Sequence, residues 1–123
     1  NSTTTKKTYN LELRTKSFAI DDRSFIRKLR KDICNFEDSK QLAWSSGSIG
    51  TNYIEAVESL SSKDYAFKIK VCRKEAKEAI YWLDSLLVED IELEKEKKLL
   101  RKEALELMKI FGSIVTKLNK FQG

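Results

Sequence analysis

Residues 45–51 read Ser-Ser-Gly-Ser-Ile-Gly-Thr, and whether this stretch is a loop or a helix decides the fold. Local chemistry favours a loop. Six of the seven residues are small or polar, and a Gly inside a helix costs about 1 kcal/mol against Ala. The surrounding pattern favours a helix. Leu42, Ile49, Tyr53, Ala56 and Leu60 share one helical stripe, with Ser46 filling the gap. Small residues would also let a second backbone come close. Residue chemistry by itself leaves both readings open.

The flanks are helical. Residues 62–87 give the clearest pattern: Tyr65, Ile69, Cys72, Ala76, Ala79, Leu83 and Leu86 step by four and three, a heptad seam. Ser61 and Asp64 resemble a capping box at its start. A further helix is expected from Asp90 or Glu94 to Phe121, on Leu100, Ala104, Leu107, Phe111, Ile114, Leu118 and Phe121. Acids between Glu89 and Glu96, and Lys117 with Lys120 near the end, suit its dipole. Gly112 inside it reads either as a close contact or as a tolerated surface Gly. Upstream, Phe18, Phe25, Leu29, Ile33 and Phe36 predict a helix over 17–36, capped by Ser17 or Asp22. Residues 37–40 then form a short link, with Asp38 or Ser39 capping the next helix. Residues 1–16 read as a flexible polar tail, so the domain is expected over 17–123. Amphipathic helices of this kind need partners for their apolar stripes, which predicts a bundle.

Composition narrows the chemistry. The chain of 123 residues has no Pro and no His. Lacking Pro, it reads poorly as a turn-rich β fold. Lacking His, it offers no His-based triad and no His metal site. The net charge of +5 permits contact with nucleic acid without requiring it. No apolar run reaches the about 18 residues of a membrane span, and the polar N-terminus has no signal-peptide pattern. A cytoplasmic protein off the membrane is the expectation. Cys34 and Cys72 both have apolar neighbours and read as buried reduced thiols.

No catalytic constellation emerges. The Ser46–Gly50 segment lacks the Lys-Ser/Thr ending of a phosphate loop. Glu55 with Glu58, and Glu75 with Glu78, read as surface acids. No cofactor and no metal are expected. Trp44, Tyr81 and Trp82 lie off the main seams and read as subunit-interface or core-edge aromatics.

The run from Gln41 to Leu83 resembles the four-helix bundle family named for reading frames in 23S ribosomal RNA intervening sequences. The resemblance rests on Gln41-Leu42, Ser48-Ile49, Asn52, Glu55-Ala56, Ser62-Lys63-Asp64-Tyr65, Lys74-Glu75-Ala76, Glu78 and Tyr81-Trp82-Leu83. Ala56 stands where many members have Gly, and residues 88–98 are more charged than the usual third loop. The resemblance implies an all-α, up-down antiparallel four-helix bundle assembled as a homopentamer. It also makes residues 45–51 helical. The family is similar in turn to the accessory variability proteins of diversity-generating retroelements, which associate with a reverse transcriptase and nucleic acid. No enzymatic activity is attached to it.

Ser48, Asn52 and Glu55, spaced four and three, are therefore expected to form a polar motif within the bundle or across a subunit interface. Arg27, Arg30, Lys31, Lys70, Lys74 and Lys77 are the candidates for phosphate contact. The function expected is a non-enzymatic oligomeric bundle that binds RNA, DNA or a nucleic-acid enzyme. The alternative is a structural or protein-interaction scaffold with no direct nucleic-acid contact.

Overall fold

The computed structural model describes residues 10–122, with side chains through residue 120. Within that range the chain forms four helices: α1 (Leu11–Arg27), α2 (Ile33–Val57), α3 (Ser62–Ser85) and α4 (Ile91–Gln122). No strand occurs among the described residues.

Each helix begins on a short oxygen-bearing side chain that accepts from a first-turn amide. Asn10 accepts from Leu13 N (3.3 Å), Asp32 from Asn35 N (2.8 Å), Ser61 from Asp64 N (3.1 Å), and Asp90 from Glu92 N (2.7 Å) and Leu93 N (3.1 Å). These bonds satisfy amides that a helix leaves without partners. They replace Pro and Gly as punctuation.

Contacts across the pairs run antiparallel. On α2 and α3, Ser48 meets Glu75 and Glu55 meets Lys68. On α3 and α4, Asp84 meets Arg101 while Arg73 lies beside Gly112. On α1 and α2, Arg23 reaches Ala43 while Thr15 lies beside Gly50. Helix α1 also packs on α4, where Arg14 forks onto Glu103 (2.6 and 2.8 Å) and adds Glu106 (2.8 Å). The buried stripes meet in one core, with Phe18, Phe25, Leu42, Ile49, Ile69, Leu83, Leu107 and Phe111 at or below 1% exposure.

Residues 45–51 are helical. Ser45, Ser46 and Ile49 are buried, and the two Gly positions lie under α1. A Cβ on Gly47 would sit 3.2 Å from the Arg23 guanidinium, and one on Gly50 3.2 Å from Thr15 Oγ1. The opposite flank carries the Cys72 thiol, which donates to Ile49 O at 3.5 Å. The small residues let α1 approach closely, and this packing outweighs their poor helix propensity.

Four expectations about the N-terminal half fail. Residues 11–16 are the opening turns of α1 and not tail, because Leu11 and Thr15 extend the buried stripe of Phe18, Asp22 and Phe25; residues 1–9 lie outside the described set. Neither Ser17 nor Asp22 caps a helix, and Asp22 is buried in mid-helix. The α1–α2 break falls at 28–32 and not at 37–40, because Asp32 captures the Asn35 amide. That break leaves Ile33 (78%), Phe36 (62%) and Cys34 exposed, and Leu60 stands fully exposed in the next link.

Asn35 was missed. It is 3% exposed. Its Nδ2 donates to Arg30 O and Leu87 O (3.1 Å each), and its Oδ1 accepts from Leu87 N (3.0 Å). One side chain thus ties the α1–α2 link to the α3–α4 link.

Candidate functional site

Two polar clusters stand outside the apolar core. The first lies between α2 and α3. Ser48 Oγ donates to Glu75 Oε2 (3.1 Å), and Asn52 Nδ2 donates to Ser48 Oγ (2.9 Å) and Ser48 O (2.8 Å). Glu55 does not join them; it is exposed and pairs with Lys68 at 2.6 Å. Glu75 takes its place and is no surface acid, being 7% exposed with Oε1 unpartnered among the described residues. Burial pushes the Glu75 carboxyl above its ordinary range, and the Ser48 hydrogen bond opposes that rise. Glu75 stands three positions after Cys72 and four before Ala79 on the seam, a spacing that could have signalled its burial. This cluster joins two helices through an uncommon buried acid. Among the described residues no group of His, Cys, Asp and Glu is arranged to hold a metal.

The second cluster is basic. Lys70, Arg73, Lys74 and Lys77 of α3 border a groove of roughly 520 Å³ with Met108, Lys109 and Gly112 of α4. The lining holds five cations and no carboxylate. Steps of three and four put Lys70, Lys74 and Lys77 on one exposed face, and Arg73 reaches over the groove floor at Gly112. Among the described residues, Lys70, Arg73, Lys77 and Lys109 have no carboxylate within 4 Å, and Lys74 has only Glu75, at 3.9 Å. Such cations are available to an anion, unlike the paired Lys28, Lys68 and Arg101.

The remaining basic candidates stand elsewhere. Arg27 ends α1, and Arg30 and Lys31 lie in the link after it. Arg30 already pairs with Glu89 at 2.9 Å. Helix α1 packs on α2 and α4 and lies diagonally across the bundle from α3, so the six basic candidates form two groups. Arg73 and Lys109 were missed; one sits a single position off the lysine stripe, and the other comes from a different helix.

The three aromatic candidates are also dispersed. Trp44 is 73% exposed on the outer face of α2, which also bears Ile33, Phe36 and Ile54. Tyr81 is 63% exposed and meets Trp82 edge-on at 4.8 Å between ring centroids. Trp82 is half-buried against the core.

The family model for the 23S rRNA-intervening sequence protein matches residues 9–113. Among solved structures, the chain is similar to a protein of unknown function from the S23 ribosomal protein family of Bacteroides thetaiotaomicron VPI-5482. The two are 24% identical and superpose with a TM-score of 0.71, over 85% of this chain and 96% of that one. That likeness concerns the fold. No curated protein matches the chain.

Proposed function

The chain belongs to the 23S rRNA-intervening sequence protein family, and from that premise we propose that it is a non-catalytic bundle that binds nucleic acid through the α3–α4 groove. The observation that carries the reading is the convergence there of five cations with no carboxylate. Phosphate backbones bind such surfaces by releasing counterions, so affinity must fall steeply with salt.

Fluorescence anisotropy with a labelled oligonucleotide tests this. Binding is expected at low salt, with a negative slope of log affinity against log salt. The double reversal K70E/K77E should weaken binding at least tenfold and reduce the slope by about 2. Reversal of Arg27 and Lys31, on the other group, should change it less than twofold. No binding at low salt would overturn the reading.

We also propose self-association, as a homopentamer. Its support is the set of exposed apolar side chains Ile33, Phe36, Trp44 and Ile54 on the outer face of α2, since large apolar side chains left exposed on one face suit an interaction surface. Light scattering on a sizing column should report a mass five times that of the chain, and W44E should reduce it. A protein-interaction scaffold is the second reading, favoured by the same side chains, and it predicts an oligomer with no nucleic-acid affinity. A cytoplasmic location completes the proposal, in keeping with two unpaired thiols.

A further inference from the structure

We propose that the outer face of α3 binds unpaired RNA, with Phe67 and Tyr81 stacking on bases at the two ends of the lysine row. The inference rests on the nucleic-acid reading above and names the kind of strand.

Phe67, Lys70, Lys74, Lys77 and Tyr81 step by three, four, three and four. On a helix this makes one continuous stripe. All five are exposed, with Phe67 at 62% and Tyr81 at 63%. Phe67 takes no part in the core or in the side chains packed around it, so packing within the chain does not explain an exposed aromatic ring beside three lysines. The two rings are separated by fourteen positions, roughly 21 Å at 1.5 Å per residue.

Charge identifies the occupant as an anion, and the rings identify which kind. Aromatic side chains interleaved with cations bind single strands, because every base has a π-face on which a ring can stack. A duplex hides those faces and could use the cations alone. RNA is the nucleic acid that presents unpaired bases in loops, bulges and ends, where aromatic stacking is the usual mode of capture. Arg73 and Lys109, in the adjoining groove, would take the phosphates between the two stacked bases.

The test compares labelled oligo-U, oligo-dT and a duplex RNA of equal length by anisotropy at low salt, using the full chain and its F67A, F67L and Y81A variants. Oligo-U should bind at least tenfold tighter than the duplex and at least as tightly as oligo-dT. Each variant should weaken oligo-U binding roughly five- to a hundred-fold, change duplex binding less than twofold, and keep the salt slope. F67L retains apolar bulk without a π-face, so its loss would point to stacking. Should a variant fail to fold by circular dichroism, photocrosslinking of 4-thiouridine oligomers to the unaltered chain decides, with adducts expected at Phe67 and Tyr81. Adducts only elsewhere would overturn the inference. So would equal binding of duplex, binding of the DNA arm alone, or aromatic variants that shift the oligomer mass and leave RNA affinity unchanged. In those cases lysine-dependent binding would leave the broader reading standing; no binding of any strand would end both.

Discussion

Asp22 sits on α1 with no exposed surface, and neither carboxylate oxygen has a hydrogen-bond partner among the described residues. Burial pushes its carboxyl up to about 8, Asp21 adds to the rise, and Arg23 opposes it. Arg23 is occupied elsewhere, donating to Ala19 O, Ala43 O and Ser46 Oγ. A folded value above the unfolded one means that the proton favours the folded state. The stability is fully present below about pH 4 and is lost as the pH rises toward about 8. Denaturant unfolding at pH 5, 7 and 9 should show the native chain weakening by a few kcal/mol across that window. In D22L the decline should be smaller, and the variant should be the more stable protein at pH 9. A profile unchanged by the substitution would mean that Asp22 does not hold its proton. Four positions after Phe18 and three before Phe25, Asp22 falls on the apolar stripe, but an acid there also reads as a helix cap, and that reading hid its burial.

For the helices, the glycines of α2 and α4 give opposite expectations. A Cβ on Gly50 would lie 3.2 Å from Thr15 Oγ1, 3.6 Å from its Cβ and 3.8 Å from its backbone carbon. Those atoms belong to a stiff β-branched residue, so G50A should destabilise by about 1–2 kcal/mol through overpacking. Gly112 meets only Arg73 Cδ, at 3.6 Å, an ordinary contact. G112A should stabilise by up to about 1 kcal/mol, from helix propensity. Thermal melts of the two variants should therefore shift in opposite directions. Residues 62–87 were legible because four-and-three stepping has one simple reading. Residues 45–51 were not, since small residues signal a loop to local chemistry and a close crossing to tertiary packing. The α1–α2 boundary misled for another reason: Leu29, Ile33 and Phe36 keep the helical rhythm across a true break, which Asp32 and Asn35 create through hydrogen bonds with no periodic trace.

Across the whole molecule, the basic groove arises only when two helices meet. Three of its cations could be read from the sequence as one face of α3, but Lys109 becomes their neighbour through the antiparallel pairing of α3 with α4. The place of Phe67 opposite the seam was legible, since it lies two positions from both Tyr65 and Ile69; that no other helix covers it became visible only in the fold. Topology also divides the basic candidates, which charge counting had grouped together.

Asn35 ties two links at one end of the bundle, whereas the opposite end has a single link, at 58–61, and the start of α1. Opening should therefore begin at the unpinned end and travel along the axis. Amide exchange with deuterium should be fastest near 11–15 and 54–57 and slowest near 35–42 and 79–86. N35A should level that gradient, accelerating the pinned end most. One amide side chain would then set the direction in which the molecule unzips.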